Sequence, residues 1–125
     1  MPKEKLVWSA DTAAVKPNDC VTLVPNGKTS IEIVNSSMNK VTFKLKATRP
    51  RSVHPTVPVG AIEEGGRTTV NISYKPKQEE SPFNVKDHLT VLIHPLPDGV
   101  TPEDYWKSPD ATLAHRITVP MKPDQ

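Results

Sequence analysis

A sandwich of two packed antiparallel β-sheets is the fold class this sequence predicts, and three observations carry the prediction. Apolar residues recur at every second position in several short runs, the period of a strand with one face buried. The 14 prolines in 125 residues are too many for helices and too scattered for a linker, so they read as strand punctuation. Cys20 is the only cysteine, which excludes an intramolecular disulfide and with it a disulfide-stapled secreted module. The length suits one domain with one core, and a hydrophobic fraction of 35% makes that core thin.

Met1–Thr12 is charged and weakly patterned and reads as an N-terminal arm; residues 13–125 form the domain. Ala13–Lys16 and Cys20–Val24 are short strands broken at Pro17-Asn18. Pro25-Asn26-Gly27-Lys28 is a turn, its glycine expected at positive φ. Thr29–Thr48 organises the chain. Ile31 and Ile33 alternate with Ser30 and Glu32; after the polar break Asn35–Lys40, Val41, Phe43, Leu45 and Ala47 alternate with Thr42, Lys44, Lys46 and Thr48. Two strands with apolar inner faces thus flank a polar turn and need a second layer to cover them.

Arg49–Gly60 is irregular, because Pro50, Pro55 and Pro58 prevent a central strand, although Val53–Val57 suits a short edge strand. This crossing is expected to need a cis bond before at least one of those prolines. Glu63–Gly66 is a turn. Arg67–Lys75 then places Val70, Ile72 and Tyr74 inward, and Lys86–His94 places Leu89, Val91 and Ile93 inward with Thr90 and Leu92 outward. In the excursion 95–113, Thr101-Pro102-Glu103-Asp104 has an N-cap threonine, a first-position proline and first-turn acids, predicting one helical turn that ends near Pro109. His115–Met121 closes the chain, Ile117, Val119 and Met121 inward and Pro120 outward, which suggests an edge. The sum is an immunoglobulin-like sandwich of about seven strands.

Chemistry is hard to find. His54, His88, His94 and His115 form no His-x-His or His-x-x-x-His pair, so no metal site is expected. There is no G-x-S-x-G turn, and Gly65-Gly66 leads into a strand, unlike a phosphate-binding loop. Cys20 lies among Val21, Leu23 and Val24 and reads as a small buried hydrophobe. No catalytic residue and no cofactor are expected. Asn35-Ser36-Ser37 and Asn71-Ile72-Ser73 match the glycosylation pattern but read as a turn and an outer strand face. MPKEKLVW carries no apolar leader and no stretch reaches a membrane span, so a reducing cytoplasm is expected, with no membrane insertion.

Charge is segregated. Sixteen basic and 14 acidic residues give +2 overall, which is not the footprint of a nucleic-acid binder. Between Glu32 and Glu63, however, there is no acid, while Lys40, Lys44, Lys46, Arg49 and Arg51 are all basic. Lys44, Lys46 and Thr48 share one outer strand face, spaced about 7 Å apart. Phe43, the only aromatic within that run, faces inward, so no stacking platform for RNA accompanies the charges.

The run IVNSSMNKVTFKLKATRP (33–50), with Gly60-Ala61-Ile62, Gly65-Gly66 and TVNISYKP (69–76), resembles the major sperm protein domain; LPDGVTPEDYW and ITVPM look like its small nematode sperm-specific members. The resemblance covers roughly residues 13–121. It implies a seven-stranded immunoglobulin-like sandwich and a non-enzymatic cytoskeletal role, forming or decorating the filaments of amoeboid sperm. The implied partners are other proteins of this type, with a homo-oligomer among the possibilities. In related membrane-tethering receptors, the positions of Lys44 and Lys46 face an acidic peptide with two phenylalanines. This sequence has Ala47 where those receptors usually have threonine, and Thr90 near their methionine. The alternative is therefore a soluble adaptor for an acidic linear motif. In either case Lys44, Lys46, Thr48, Arg49 and Arg51 are the candidate protein-binding residues.

Overall fold

Where the alternation is regular, the chain is a strand. The computed structural model describes residues 12–123, so the expected arm lies outside the described residues except for Thr12. Among the described residues nine strands form: β1 (Ala13–Lys16), β2 (Val21–Leu23), β3 (Gly27–Asn35), β4 (Val41–Ala47), β5 (Val53–Pro55), β6 (Val59–Ile62), β7 (Arg67–Tyr74), β8 (His88–Pro95) and β9 (His115–Pro123). One sheet has the order β1-β3-β7-β5 and the other β2-β9-β8-β4-β6. Every pairing is antiparallel except β2 with β9, which is parallel.

The strand number corrects the expected seven, and β6 is the strand that alternation missed. Val59-Gly60-Ala61-Ile62 has no period of two; its place is set by β4, where Phe43 opposes Gly60. A Cβ on Gly60 would fall 2.7 Å from Phe43 Cζ, so the ring lies where a side chain would be.

The two strands of the organising stretch do not form a hairpin. β3 lies in one sheet and β4 in the other, and the Asn35–Lys40 turn carries the chain across the sandwich. Asn35 anchors it. Only 1% exposed, its amide donates to the carbonyls of Asn39, Ile62 and Glu63 at 2.7, 3.3 and 3.0 Å. Its carbonyl accepts from Ser37 N and Oγ at 3.0 and 2.6 Å. A buried polar side chain is tolerated there because its hydrogen-bonding capacity is met. Asn71, by contrast, is exposed on β7 and accepts from Ser30 Oγ.

Both sheets contribute to one core. Ile31, Ile33, Val70 and Ile72 meet Val41, Phe43, Leu45, Leu89, Val91, Ile93 and Val119, with Tyr74 and Met121 also buried. Ile117, expected in the core, is only partly buried and packs at its margin. Thr42, Thr90 and Leu92 face outward by alternation yet are buried, and for Thr42 the cover is the 95–114 excursion.

Three smaller expectations are corrected. Among the described residues the cis peptide bond is Lys16–Pro17, and Pro50, Pro55 and Pro58 are trans. The positive-φ residue in the first turn is Asn26 (59°), which tolerates the left-handed region; Gly27 instead makes room for Val24, whose Cγ1 would lie 2.8 Å from an added Cβ. β9 is not an edge strand throughout. β2 pairs with it at Met121, Lys122 and Pro123, and among the described residues only 115–120, with Pro120 at the limit, present an open edge.

Candidate partner-binding face

Strand register decides which charges meet. Outward residues of β4 oppose outward residues of β8, and these oppose β9, giving rows across the sheet: Lys44–Leu92–Arg116 and Lys46–Thr90–Thr118. Strands lie roughly 5 Å apart, so the backbones of Lys44 and Arg116 are about 10 Å apart with Leu92 between them.

The excursion walls one end of this face. Thr101 caps α1 (Pro102–Lys107), its hydroxyl accepting from Asp104 N at 3.1 Å, with Pro102 at the first position as expected. A 3-10 turn, Pro109–Leu113, extends the structure beyond the expected end. Tyr105, buried on α1, stacks on His94 with ring centres 5.2 Å apart and donates to the Asp110 carbonyl at 3.0 Å. Burial pushes its hydroxyl pKa up, and Asp110 acts in the same direction. Trp106 Nε1 donates to Thr42 Oγ1 at 3.0 Å, and Thr42 in turn donates to the Gly60 carbonyl at 2.8 Å. The helix is thereby fixed to β4 and, through it, to β6.

Between the excursion and the sheet lies a groove of about 290 Å³ lined by Lys44, Lys46, Leu92, Trp106 and Arg116. Lys44 is half-buried; Lys46 and Arg116 are exposed. None of the three cations makes an ion pair with a described residue. Sequence reasoning found the two lysines and missed the other two groups. Arg116 was recognisable as outward from the alternation of β9, but its place beside Lys44 follows from pairing alone.

The other three candidates lie elsewhere. Thr48 is exposed, but its hydroxyl donates to Asp87 Oδ1 at 2.9 Å. Arg51 is exposed on a separate groove. Arg49 is not on the face: it is 8% exposed, donating through Nη1 to the Ser81 carbonyl (2.6 Å) and through Nη2 to the Pro82 carbonyl (2.8 Å) and Asp87 Oδ2 (2.9 Å). Its guanidinium also lies 4.0 Å from the Phe83 ring centre. β4 ends at Ala47, and nothing local to the sequence names the distant carbonyls and carboxylate that hold Arg49. Arg49 clamps the β7–β8 loop.

Among the described residues no group of three His, Cys, Asp or Glu side chains could hold a metal ion, and no helix is long and apolar enough to cross a membrane. Two sheets around one core, with a cationic groove on an outer face, define an immunoglobulin-like structural and interaction domain. The chain belongs to the MSP (major sperm protein) domain family, whose model matches residues 13–109. Its fold is similar to that of WR4, a C. elegans MSP family member (TM-score 0.70, 18% identity, 90% of this chain and 98% of that one). It is also similar to SSP-19, an MSP-domain-like protein of Caenorhabditis elegans (TM-score 0.69, 20% identity, 89% and 98%). A PapD-like domain of human CEP192 shares the fold more distantly (TM-score 0.57, 12% identity, 100% and 95%). No curated protein matches the chain in sequence.

Proposed function

We propose that this chain is a non-enzymatic cytoskeletal protein of the major sperm protein type, acting in the cytoplasm of nematode amoeboid sperm, where it forms or decorates filaments through protein–protein contacts. The observation that carries the reading is the groove of Lys44, Lys46 and Arg116 beside Trp106 on an MSP domain, three cations without carboxylate partners among the described residues. The partner is another chain of this type. Acids that would meet these cations on a second copy stand on the excursion, where Asp98, Glu103, Asp104 and Asp110 are all exposed. Contacts between two distinct surfaces run head to tail and propagate into filaments when the rotation does not close.

The test is co-sedimentation of the purified protein with sperm filaments, for the native chain and for the Lys44→Glu, Lys46→Glu double variant. The expected result is association that weakens with salt and is lost in the variant, with circular dichroism unchanged. Unaltered co-sedimentation of a well-folded variant rejects the face. A second reading, a soluble adaptor for an acidic linear peptide, is favoured by Trp106, which sets an apolar wall beside the lysines. Peptide binding without filament association selects it.

A further inference from the structure

The chain contains three Ser/Thr-Pro dipeptides: Ser81-Pro82, Thr101-Pro102 and Ser108-Pro109. Two are engaged in structure. Thr101 Oγ1 is the helix cap, and Ser108 Oγ donates to the Tyr105 carbonyl at 2.7 Å on a half-buried residue. Ser81 differs from both. It is exposed, its hydroxyl makes no hydrogen bond among the described residues, and Ser81–Asn84 has no regular structure.

Its surroundings are cationic. Ser81 lines a groove of about 510 Å³ with Thr48, Arg49, Arg51 and Lys86. Arg51 and Lys86 are exposed and form no ion pair with a described residue. Arg49 also lines the groove, and its Nε is buried without a hydrogen-bond partner among the described residues. Two acids also line it: Asp87, already held by Arg49, and Glu80, the one carboxylate there outside that pair. The Arg49 clamp on the Ser81 and Pro82 carbonyls fixes the backbone and leaves the serine side chain free.

We propose that Ser81 is a phosphorylation site for a proline-directed protein kinase, and that its phosphate settles in the groove against Arg51 and Lys86. In the transfer, Ser81 Oγ attacks the γ-phosphorus of ATP, the bond to the β-phosphate oxygen breaks, ADP leaves, and the kinase's base takes the hydroxyl proton. The product adds between one and a half and two negative charges, roughly, and three acceptor oxygens. This groove is separate from the Lys44, Lys46 and Arg116 face, but the added charge lowers the positive potential of the whole molecule and so its long-range attraction for an acidic partner. This regulatory half rests on the filament reading given above.

The full chain is incubated with ATP and a proline-directed kinase, and the phosphate is located by mass spectrometry. Expected is one phosphoryl group on Ser81 that Ser81→Ala abolishes; label on Thr101 or Ser108 instead, or no label, overturns the site. In a phosphorus-31 titration of the modified protein, the second phosphate pKa should fall below its ordinary value of about 6. It should return in the Arg51→Ala, Lys86→Ala double variant. A phosphate that titrates normally and ignores those substitutions overturns the groove. Neither measurement depends on filaments. Co-sedimentation of phosphorylated against unmodified protein should show several-fold weaker association, and equal association overturns the regulatory half. Failure of the unmodified protein to sediment rejects the filament reading and the regulatory half with it, while the site still stands or falls by the mapping.

Discussion

Replacing Asp87 tests how the β7–β8 loop is held. Its carboxylate lies against the Arg49 guanidinium at 2.9 Å, with side-chain exposures of 10% and 8%, and it also accepts from Thr48 Oγ1 and Asn84 N at 2.9 and 3.0 Å. The Arg49 hydrogen bond is the chief reason its pKa sits below the ordinary 3.8, at about 2; burial opposes it, while Asn84, Thr48 and the Arg49 charge assist. At 1.36 kcal/mol per pKa unit this corresponds to about 2 kcal/mol of stability. Because the folded carboxyl holds its proton less tightly than the unfolded one, the contribution is complete above pH 3.8 and disappears as pH falls through about 2. Asp87→Asn should therefore cost about 2 kcal/mol near neutrality. Asp87→Ala, which also removes the acceptors for Thr48 and Asn84 and leaves Arg49 buried without a counter-ion, should cost about 3–5 kcal/mol. Urea unfolding followed by circular dichroism reads both, with the midpoint falling at constant slope. The Arg49→Met, Asp87→Leu double change should recover most of the loss, since desolvating the pair is itself costly. Less than about 0.5 kcal/mol lost in Asp87→Asn, or parallel acid profiles for native and variant proteins between pH 4 and 2, would refute the reasoning.

Phe43→Ala should lose about 3–5 kcal/mol by cavity formation in the core, and Gly60→Ala about 1–3 kcal/mol by driving a methyl into the same ring; both are read as urea midpoints. Asn35→Ala, which removes the partners of three carbonyls and of Ser37, should cost about 2–3 kcal/mol or more and broaden backbone amide exchange around Asn39 and Ile62–Glu63. Trp106→Phe keeps most of the apolar wall but deletes the bond to Thr42, an expected loss of about 1 kcal/mol. Near-native exchange protection in α1 of that variant would count against the helix being fixed through the indole.

Alternation located the long strands because one face of each is buried, and the residue type reports that directly. Ile31, Ile33, Val41, Phe43 and Leu45 are buried as the pattern requires. The same rule placed Thr42 and Leu92 outside, and failed because it describes a strand against solvent, whereas here a helix packs on the outer face. Sheet membership was not legible either. Neighbours in sequence usually pair, but nothing in Asn35–Lys40 states that its side chains bind the β6 end of the chain instead of closing a hairpin. The candidate face was half legible. Lys44-x-Lys46 is a local spacing; Arg116 and Trp106 join it through two strand pairings and a helix packing. Arg49 and Asp87, 38 residues apart, look like ordinary surface charges until the fold brings them together.

The parallel pairing of β2 with β9 sets how the fold would resist a pull on its ends. β2 lies near the start of the described chain and β9 at its end, running in the same direction with Val21 beside Met121 and Leu23 beside Pro123. Traction applied to the two chain ends pulls β2 toward its own beginning and β9 toward its own end, so the strands are forced to slide past each other. Their hydrogen bonds then resist together, whereas the antiparallel β1–β3 pair peels open one bond at a time. A chain pulled in this way would thus give up β1 early and hold at β2, with a yield force set by a three-residue clamp and the core residues Val21, Leu23 and Met121 behind it.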